Sequence, residues 1–379
     1  MEMKNYELGE LLEYEQPTAY IVESTDYNDT FPTPVLTAGK SFILGYTNET
    51  EGIFQDLPVI IFDDFTTATQ FVAFPFKVKS SAMKILHVNQ KLVLPKFIYY
   101  RMQIIQFDHS THKRYWIQQY SKLKVGIPSL EEQARIVNKI EELFSQLGAG
   151  VETLKKTQEQ LSFYRQAVIT NAYPDMKNVP VKRLDEIAVI ISGITKGRDL
   201  SGKNTIKKPY LRVANVQNGY LDLAEMKEIE LKIEEQEKYL LKYGDVLYTE
   251  GGDRDKLGRG TVWRDEIPGC VHQNHVFKAR IKTDIAIPEY VAYWSMSTPA
   301  RNYFYNKGKQ SVNLASINKA ILSALELPIP SIEQQREVVE HIESRLSVCD
   351  SITTTVNAAL LEAEAMRQSI LKKAFEGRL

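Results

Sequence analysis

Cysteine is nearly missing from this chain of 379 residues, with Cys270 and Cys349 its only two. One distant pair cannot build a disulfide framework, so apolar cores must hold the fold, as suits a reducing cytoplasm. Long apolar runs are missing as well. No stretch approaches the roughly 20 apolar residues that span a bilayer, and the opening MEMKNYELGE lacks the apolar centre of a signal peptide. A cytoplasmic protein without membrane contact is expected. An excess of either charge is missing too, because 47 Lys and Arg against 48 Asp and Glu leave a net charge of -1. That excludes a uniformly basic coat for nucleic acid and still allows one basic face. What is present, 43% hydrophobic and 25% charged residues, is the composition of a globular protein, and the length suits two or more domains.

Catalytic motifs are also scarce. None of the fifteen prolines is followed by another. The Asn/Asp-Pro-Pro-aromatic loop with which adenine amino-methyltransferases hold their target base is therefore absent. Gly39-Lys40-Ser41 resembles the tail of a phosphate-binding loop, but Pro34 stands where its first glycine belongs. Asp63-Asp64 follows the apolar run ending at Phe62 and could ligate a metal; the preferred reading is a strand end whose polar residues face water. Cys270, His272 and His275 could ligate zinc, but on a strand His275 points away from the other two, and no fourth ligand is near. His109 and His112 are read as surface residues of a basic loop. No nucleophile–base constellation emerges, no cofactor is expected in this chain, and no catalytic or metal-binding residue is assigned.

What the chain does contain is an internal repeat. Residues 127–145 read IPSLEEQARIVNKIEELFS and residues 329–347 read IPSIEQQREVVEHIESRLS, identical at nine of nineteen positions with an offset of 202. Each copy opens with a proline and a serine suited to start a helix. Apolar residues then follow at seven-residue steps: Ile140, Leu147, Leu154, Leu161 and Val168, repeated as Ile342, Cys349, Val356, Ala363 and Ile370. Such a stripe predicts two long helices packed side by side. Gly148-Ala149-Gly150 is expected to loosen or kink the first.

The segments before the helices diverge, although Leu8-Gly9-Glu10-Leu11 still corresponds to Leu184-Asp185-Glu186-Ile187, and Leu94-Pro95-Lys96-Phe97 to Ile287-Pro288-Glu289-Tyr290. Strand-like runs lie between at Pro58–Phe62, Phe71–Val78, Asp245–Thr249 and Val271–Ile281. The expected order is a globule over 1–126, a helix over 127–177, a second globule over 178–326 and a second helix over 327–379. The fold class is α+β: two mixed α/β globules joined by two long helices as a pseudo-twofold repeat.

The helical segments carry net charges of -1 (127–173) and -2 (329–379), which leaves +2 for the globules. Basic residues gather there in turn-rich loops at His109–Trp116, Gly197–Lys208, Gly251–Gly260 and Asn306–Asn313. Lys and Arg neutralise phosphates, whereas Arg, Asn and Gln can pair with base edges. The candidate DNA contacts are Lys40, Lys113, Arg114, Arg198, Lys203, Arg254, Lys256, Arg259, Asn274, Lys309 and Gln310.

At this point the chain resembles the specificity subunits of type I restriction-modification systems. The resemblance rests on the globule–helix–globule–helix order, on the Ile-Pro-Ser-apolar-Glu-x-Gln start of both helices, and on the stretch Gly244–Arg280. It implies two target recognition domains, each reading half of a bipartite, asymmetric site in double-stranded DNA. It further implies an antiparallel coiled coil that sets their spacing and two docked modification (methyltransferase) subunits. Restriction (endonuclease/translocase) subunits would be added to these. S-adenosylmethionine, ATP and Mg would belong to those partners, and this chain would be non-catalytic. A diverged DNA methyltransferase or nuclease, and a coiled-coil scaffold without a DNA role, are the alternatives.

Overall fold

The computed structural model describes residues 3–37, 39, 41–107, 114–310 and 315–379, without the side chains of residues 255 and 310. The chain divides into two compact units, residues 1–154 with 358–379, and residues 155–357. Each holds one globule and one stretch of each long helix.

In the first unit, β1 (Leu12–Glu15), β2 (Val59–Asp63), β3 (Thr69–Val72) and β4 (Met83–Val88) form an antiparallel sheet in the order β1-β4-β2-β3. Strand β2 reads Val-Ile-Ile-Phe-Asp because both its faces are covered, and its first four residues are buried. Ile60 and Phe62 face α1 (Pro95–Met102) and the first turns of the long helix α2 (Leu130–Asn171) through Phe97, Ile98, Ile136 and Ile140. Val59 and Ile61 face the other way, toward Leu36, Phe54, Phe76 and Val78. There a smaller sheet pairs Thr33–Leu36 antiparallel with Ile43–Thr47 and parallel with Lys77–Val78.

The second unit repeats this plan. Its sheet runs β5-β8-β6-β7, from β5 (Ala188–Ser192), β6 (Asp245–Thr249), β7 (Gly260–Val262) and β8 (Val276–Ile281). A second small sheet pairs Thr205–Leu211 antiparallel with Lys227–Lys232 and parallel with Val271–His272. Val246 and Tyr248 pack toward Val291 and Trp294 of α3 (Pro288–Met296). In each unit the two ends of the globule also pair as strands, Lys4–Glu7 with Lys124–Ile127 and Val181–Arg183 with Glu326–Pro328. The long helices α2 and α4 (Ile332–Phe375) leave their globules just beyond those pairs.

One side chain fixes each departure. Gln133 is fully buried; its Oε1 accepts from the Leu94 N–H at 2.7 Å, and its Nε2 donates to the carbonyls of Leu92 (3.1 Å) and Pro128 (2.9 Å). Gln335, 202 residues on and equally buried, does the same with the Ile287 N–H (2.9 Å) and the Ile285 and Pro330 carbonyls (both 3.0 Å). Leu94 and Ile287 precede helices that start with proline and have no side chain able to cap them, so the glutamine amide satisfies these dry backbone groups.

The helices run antiparallel within the second unit. Gln158 donates to Asn357 at 2.6 Å, and Arg165 pairs with Asp350, so the numbers of facing residues add to 515. In the first unit the Arg367 guanidinium lies 4.1 Å from the Phe144 ring centroid. On α4 the seven-residue stripe is buried at Ile342, Cys349, Val356 and Ala363 and half-buried at Ile370. Of the α2 stripe only Ile140 is buried; Leu147, Leu154, Leu161 and Val168 are half-exposed, so the stripe is covered less completely on that helix. The helix continues through Gly148-Ala149-Gly150, and neither glycine has a neighbour in reach of an added Cβ.

His272 lies in the second unit's core with no exposure. Its Nδ1 donates to the Val276 carbonyl at 2.6 Å, Nε2 has no partner among the described residues, and burial pushes its pKa down to about 4.

Two predictions follow from these buried groups. Gln335→Leu strands one N–H and two carbonyls and should cost about 2–5 kcal/mol in denaturant unfolding, whereas Glu337→Gln on the exposed side of the same helix should stay within about 0.5 kcal/mol. For His272 the unfolded chain takes up a proton below the ordinary histidine value of 6.5 while the folded chain waits until about 4. Stability is therefore full above 6.5 and is lost as the pH falls toward 4, by about 3 kcal/mol from this group. Urea midpoints of His272→Phe should fall less steeply across that window than those of the parent chain; equal slopes would contradict this.

Candidate nucleic-acid interface

The first unit keeps few of its candidate contacts in view. Lys40 and Lys113 lie outside the described residues, as do His109 and His112. Arg114 is exposed, directly before the short helix Tyr115–Gln118. The basic loop expected to run through Trp116 ends earlier, because Tyr115 and Trp116 are both about 1% exposed and belong to the core. Asp64 corrects the strand-end reading. It is buried, its carboxylate accepts from the Trp116 N–H at 2.8 Å and lies 3.5 Å from the buried Lys84 Nζ, and its carbonyl accepts from the Tyr115 N–H. Asp63 closes a turn by accepting from the N–H groups of Phe65 and Thr66. Among the described residues no three His, Cys, Asp or Glu side chains are placed to hold a metal.

In the second unit several candidates converge. Gly251–Gly252 pairs with Ala315–Ser316, which pairs in turn with Lys309–Gln310. This small sheet brings the 251–260 loop beside the segment after the helix Thr298–Lys307. Arg254 donates through Nε to the Tyr305 carbonyl at 3.2 Å, with its guanidinium 4.5 Å from that ring's centroid. Lys256 pairs with Asp253, and Arg259 donates to Gln217 at 3.0 Å. Lys309 is exposed; the Gln310 backbone pairs with Ala315, and its side chain lies outside the description. The Gly219 N–H donates to the Gly260 carbonyl at 3.0 Å, which brings in the turn bearing Tyr220, 61% exposed.

Asn274 reaches this region through its neighbour. His275 Nδ1 lies 2.8 Å from Glu250 Oε2, and the Glu250 N–H donates to the His275 carbonyl at 3.0 Å. Glu250, Gly251, Gly252 and His275 then line a cleft of about 480 Å³ with Val213, Ala315 and Ser316. Arg198 is tied elsewhere, to Glu235 at 2.9 Å, and Lys203 is exposed in the turn closed by its N–H to the Leu200 carbonyl.

The stretch Gly244–Arg280 therefore divides its work. Asp245 is buried and makes two hydrogen bonds with Arg280 (2.8 and 2.7 Å), and buried Lys278 donates to the Leu240 carbonyl while burial lowers its pKa to about 8. These groups build the scaffold together with buried Leu257 and Gly258; the side chains of Glu250, Asp253, Arg254, Lys256, Arg259, Asn274 and His275 reach the surface. Sequence reasoning weighed His275 only as a zinc ligand and missed Glu250, Gln217 and Tyr305. Their only trace in the sequence is polar residues interrupting an apolar run.

Comparison with known proteins agrees with this arrangement. Residues 176–362 match the type I restriction modification DNA specificity domain. The EcoR124I/EcoR124II specificity subunit of Escherichia coli is 32% identical over 363 residues, which cover 91% of this chain and 87% of that one. The EcoKI specificity subunit of E. coli K12 is 26% identical over 275 residues, 69% of this chain and 58% of that one. A chain from a structural study of complex assembly and conformational transition of the type I R-M system shares the fold, with a TM-score of 0.70 at 18% identity over 100% of this chain and 98% of that one. This chain belongs to the specificity subunits of type I restriction-modification enzymes, the non-catalytic subunits that recognise the DNA target site.

Proposed function

We propose that the globules over 1–126 and 178–326 are target recognition domains, each reading one half of a bipartite, asymmetric site in double-stranded DNA. The helical regions over 127–177 and 327–379 set the gap between half-sites and dock two modification subunits, with restriction subunits joining them. S-adenosylmethionine, ATP and Mg act in those partners, and the complex works in the cytoplasm. Among the described residues no helix is long and apolar enough to cross a membrane. The observation that carries this reading is the twofold reuse of one scaffold. Strand order, end-pairing strands and glutamine pin recur in both units, while the exposed loops differ. A constant frame suits two copies of one partner, and variable loops suit two different half-sites. In the second globule Arg254, Lys256, Arg259, Asn274 and Lys309 form the contact surface, and Arg198, Lys203 and Gln310 are further candidate contacts. In the first, Lys40, Lys113 and Arg114 fill that role.

The purified chain should neither methylate nor cut DNA. Adding its modification subunit and S-adenosylmethionine should produce adenine methylation at one discontinuous motif. Methylation by the chain alone would favour a diverged methyltransferase. Absence of salt-dependent DNA binding by the assembled complex would favour a scaffold.

Helix length gives a second test. Seven residues inserted into each helix preserve the apolar stripe and add about 10 Å, equal to about three base pairs, with roughly 100° of DNA rotation to absorb. The insertions belong after Leu154 and near Leu361. The pairing of Gln158 with Asn357 and of Arg165 with Asp350 sets that level, because the numbers of facing residues add to 515. The methylated motif should keep both half-sites and gain about three base pairs of gap; an active variant with the original gap would show that the helices are not the ruler.

A further inference from the structure

We infer that Asn274 reads the major-groove edge of an adenine in the half-site bound by the second globule, with its amide held in the reading orientation by His275 and Glu250. This rests on the proposal that the second globule presents the cleft surface to DNA.

The backbone at this place is fixed on every side. The Gln273 N–H donates to the Leu211 carbonyl (3.0 Å), the Asn274 N–H to the Ile194 carbonyl (2.9 Å) and the Val276 N–H to the Gln273 carbonyl (2.8 Å). Asn274 and His275 are thus the central residues of a turn anchored to the strand Thr205–Leu211 and to Ile194 and closed on itself. Glu250 is held as firmly, donating its N–H to the His275 carbonyl (3.0 Å) and accepting at its own carbonyl from the Ile317 N–H (2.8 Å).

The side chains form a directed chain of hydrogen bonds. A carboxylate only accepts, so His275 Nδ1, 2.8 Å from Glu250 Oε2, carries the proton. In the tautomer that carries its single proton on Nδ1, the ring presents a lone pair at Nε2. Asn274 Nδ2 lies 3.3 Å from it and donates. This sets which end of the amide is nitrogen. One Nδ2 hydrogen and the Oδ1 acceptor remain side by side, the pattern that pairs with adenine, whose N7 accepts and whose N6 amino group donates. Guanine would set its O6 acceptor against Oδ1. Without His275 the amide could turn over and lose the match. Asn274 is half-buried and His275 exposed, so the pair is ordered and still accessible. Glu250 and His275 line the cleft whose floor at Gly251 and Gly252 has no side chains to obstruct a base pair. His275 and Glu250 are positioning residues here; Asn274 makes the contact.

The test uses the full chain assembled with its modification subunit. Methylated bases are read by single-molecule sequencing of a plasmid library randomised over the recognition motif, with melting temperatures confirming that each variant folds. Asn274→Ala should reduce the preference for adenine at one second-half-site position about 10- to 100-fold, leaving the first half-site and gap unchanged. Asn274→Asp presents only acceptors and should move that preference to cytosine, whose N4 amino group donates. His275→Ala and Glu250→Ala should weaken the same position, while Glu250→Gln, which still accepts from Nδ1, should keep it. An unchanged motif in Asn274→Ala and Asn274→Asp would overturn the inference, as would a uniform loss of methylation over all sequences, the sign of a phosphate contact. Equal behaviour of Glu250→Ala and Glu250→Gln would remove the positioning chain. A change confined to the first half-site would instead overturn the assignment of half-sites to globules.

Discussion

A buried glutamine amide holds three backbone groups at the point where each long helix meets its globule. The geometry admits little else. A short helix that begins with proline and follows a leucine or isoleucine cannot cap itself, and the carbonyl of the proline before the long helix also faces inward. An unsatisfied group there would cost about as much as a lost hydrogen bond each. Because one rigid amide answers all three, the short helix, the long helix and the sheet they cover are fixed to one another in each unit. The apolar faces of β2 and β6 have a partner surface only because of that arrangement.

The two globules share a skeleton that their sequences barely reveal. Both place the longest apolar strand in the interior of a four-stranded antiparallel sheet and back it with a three-stranded sheet that includes one parallel pairing. Packing constrains such a skeleton through volume and polarity, so many apolar sets satisfy it. Surface loops carry no such constraint. In the 251–260 loop the outward side chains of Asp253, Arg254, Lys256 and Arg259 can vary while Leu257, and Ala315 on the neighbouring strand, stay packed in the core, which is what a subunit that reads DNA on a fixed frame requires.

Charge follows the same division. Lys256 lies against Asp253, and Arg259 against Gln217. The Lys256–Asp253 ion pair lies in solvent and holds weakly, so a phosphate can replace Asp253 readily. A chain with a net charge of -1 can thus present a usable basic surface, since local arrangement decides and the total does not. The buried pairs behave differently. Asp245 with Arg280, and Asp64 with Lys84, are withdrawn from solvent on at least one side and serve the folded frame.

By itself the sequence determined the repeat, the two long helices, the order of globules and helices, and through these the family. All of them rest on linear signals: near-identity at a fixed offset, and an apolar step of seven that a helix converts into one face. The Gln of the Ile-Pro-Ser-apolar-Glu-x-Gln start was visible as a motif, but its role was not, because two of its three partners lie 39 to 50 residues away. Only the tertiary structure decided that Asp64 and Trp116 are interior, that Gln158 meets Asn357 and Arg165 meets Asp350, and that α4 buries its stripe more fully than α2. It alone joined Glu250 to His275 across 25 residues. A polar side chain in a sequence looks the same whether it faces water or a buried partner. The difference comes from which backbone segments are brought beside it, and that is settled by the packing of the whole unit.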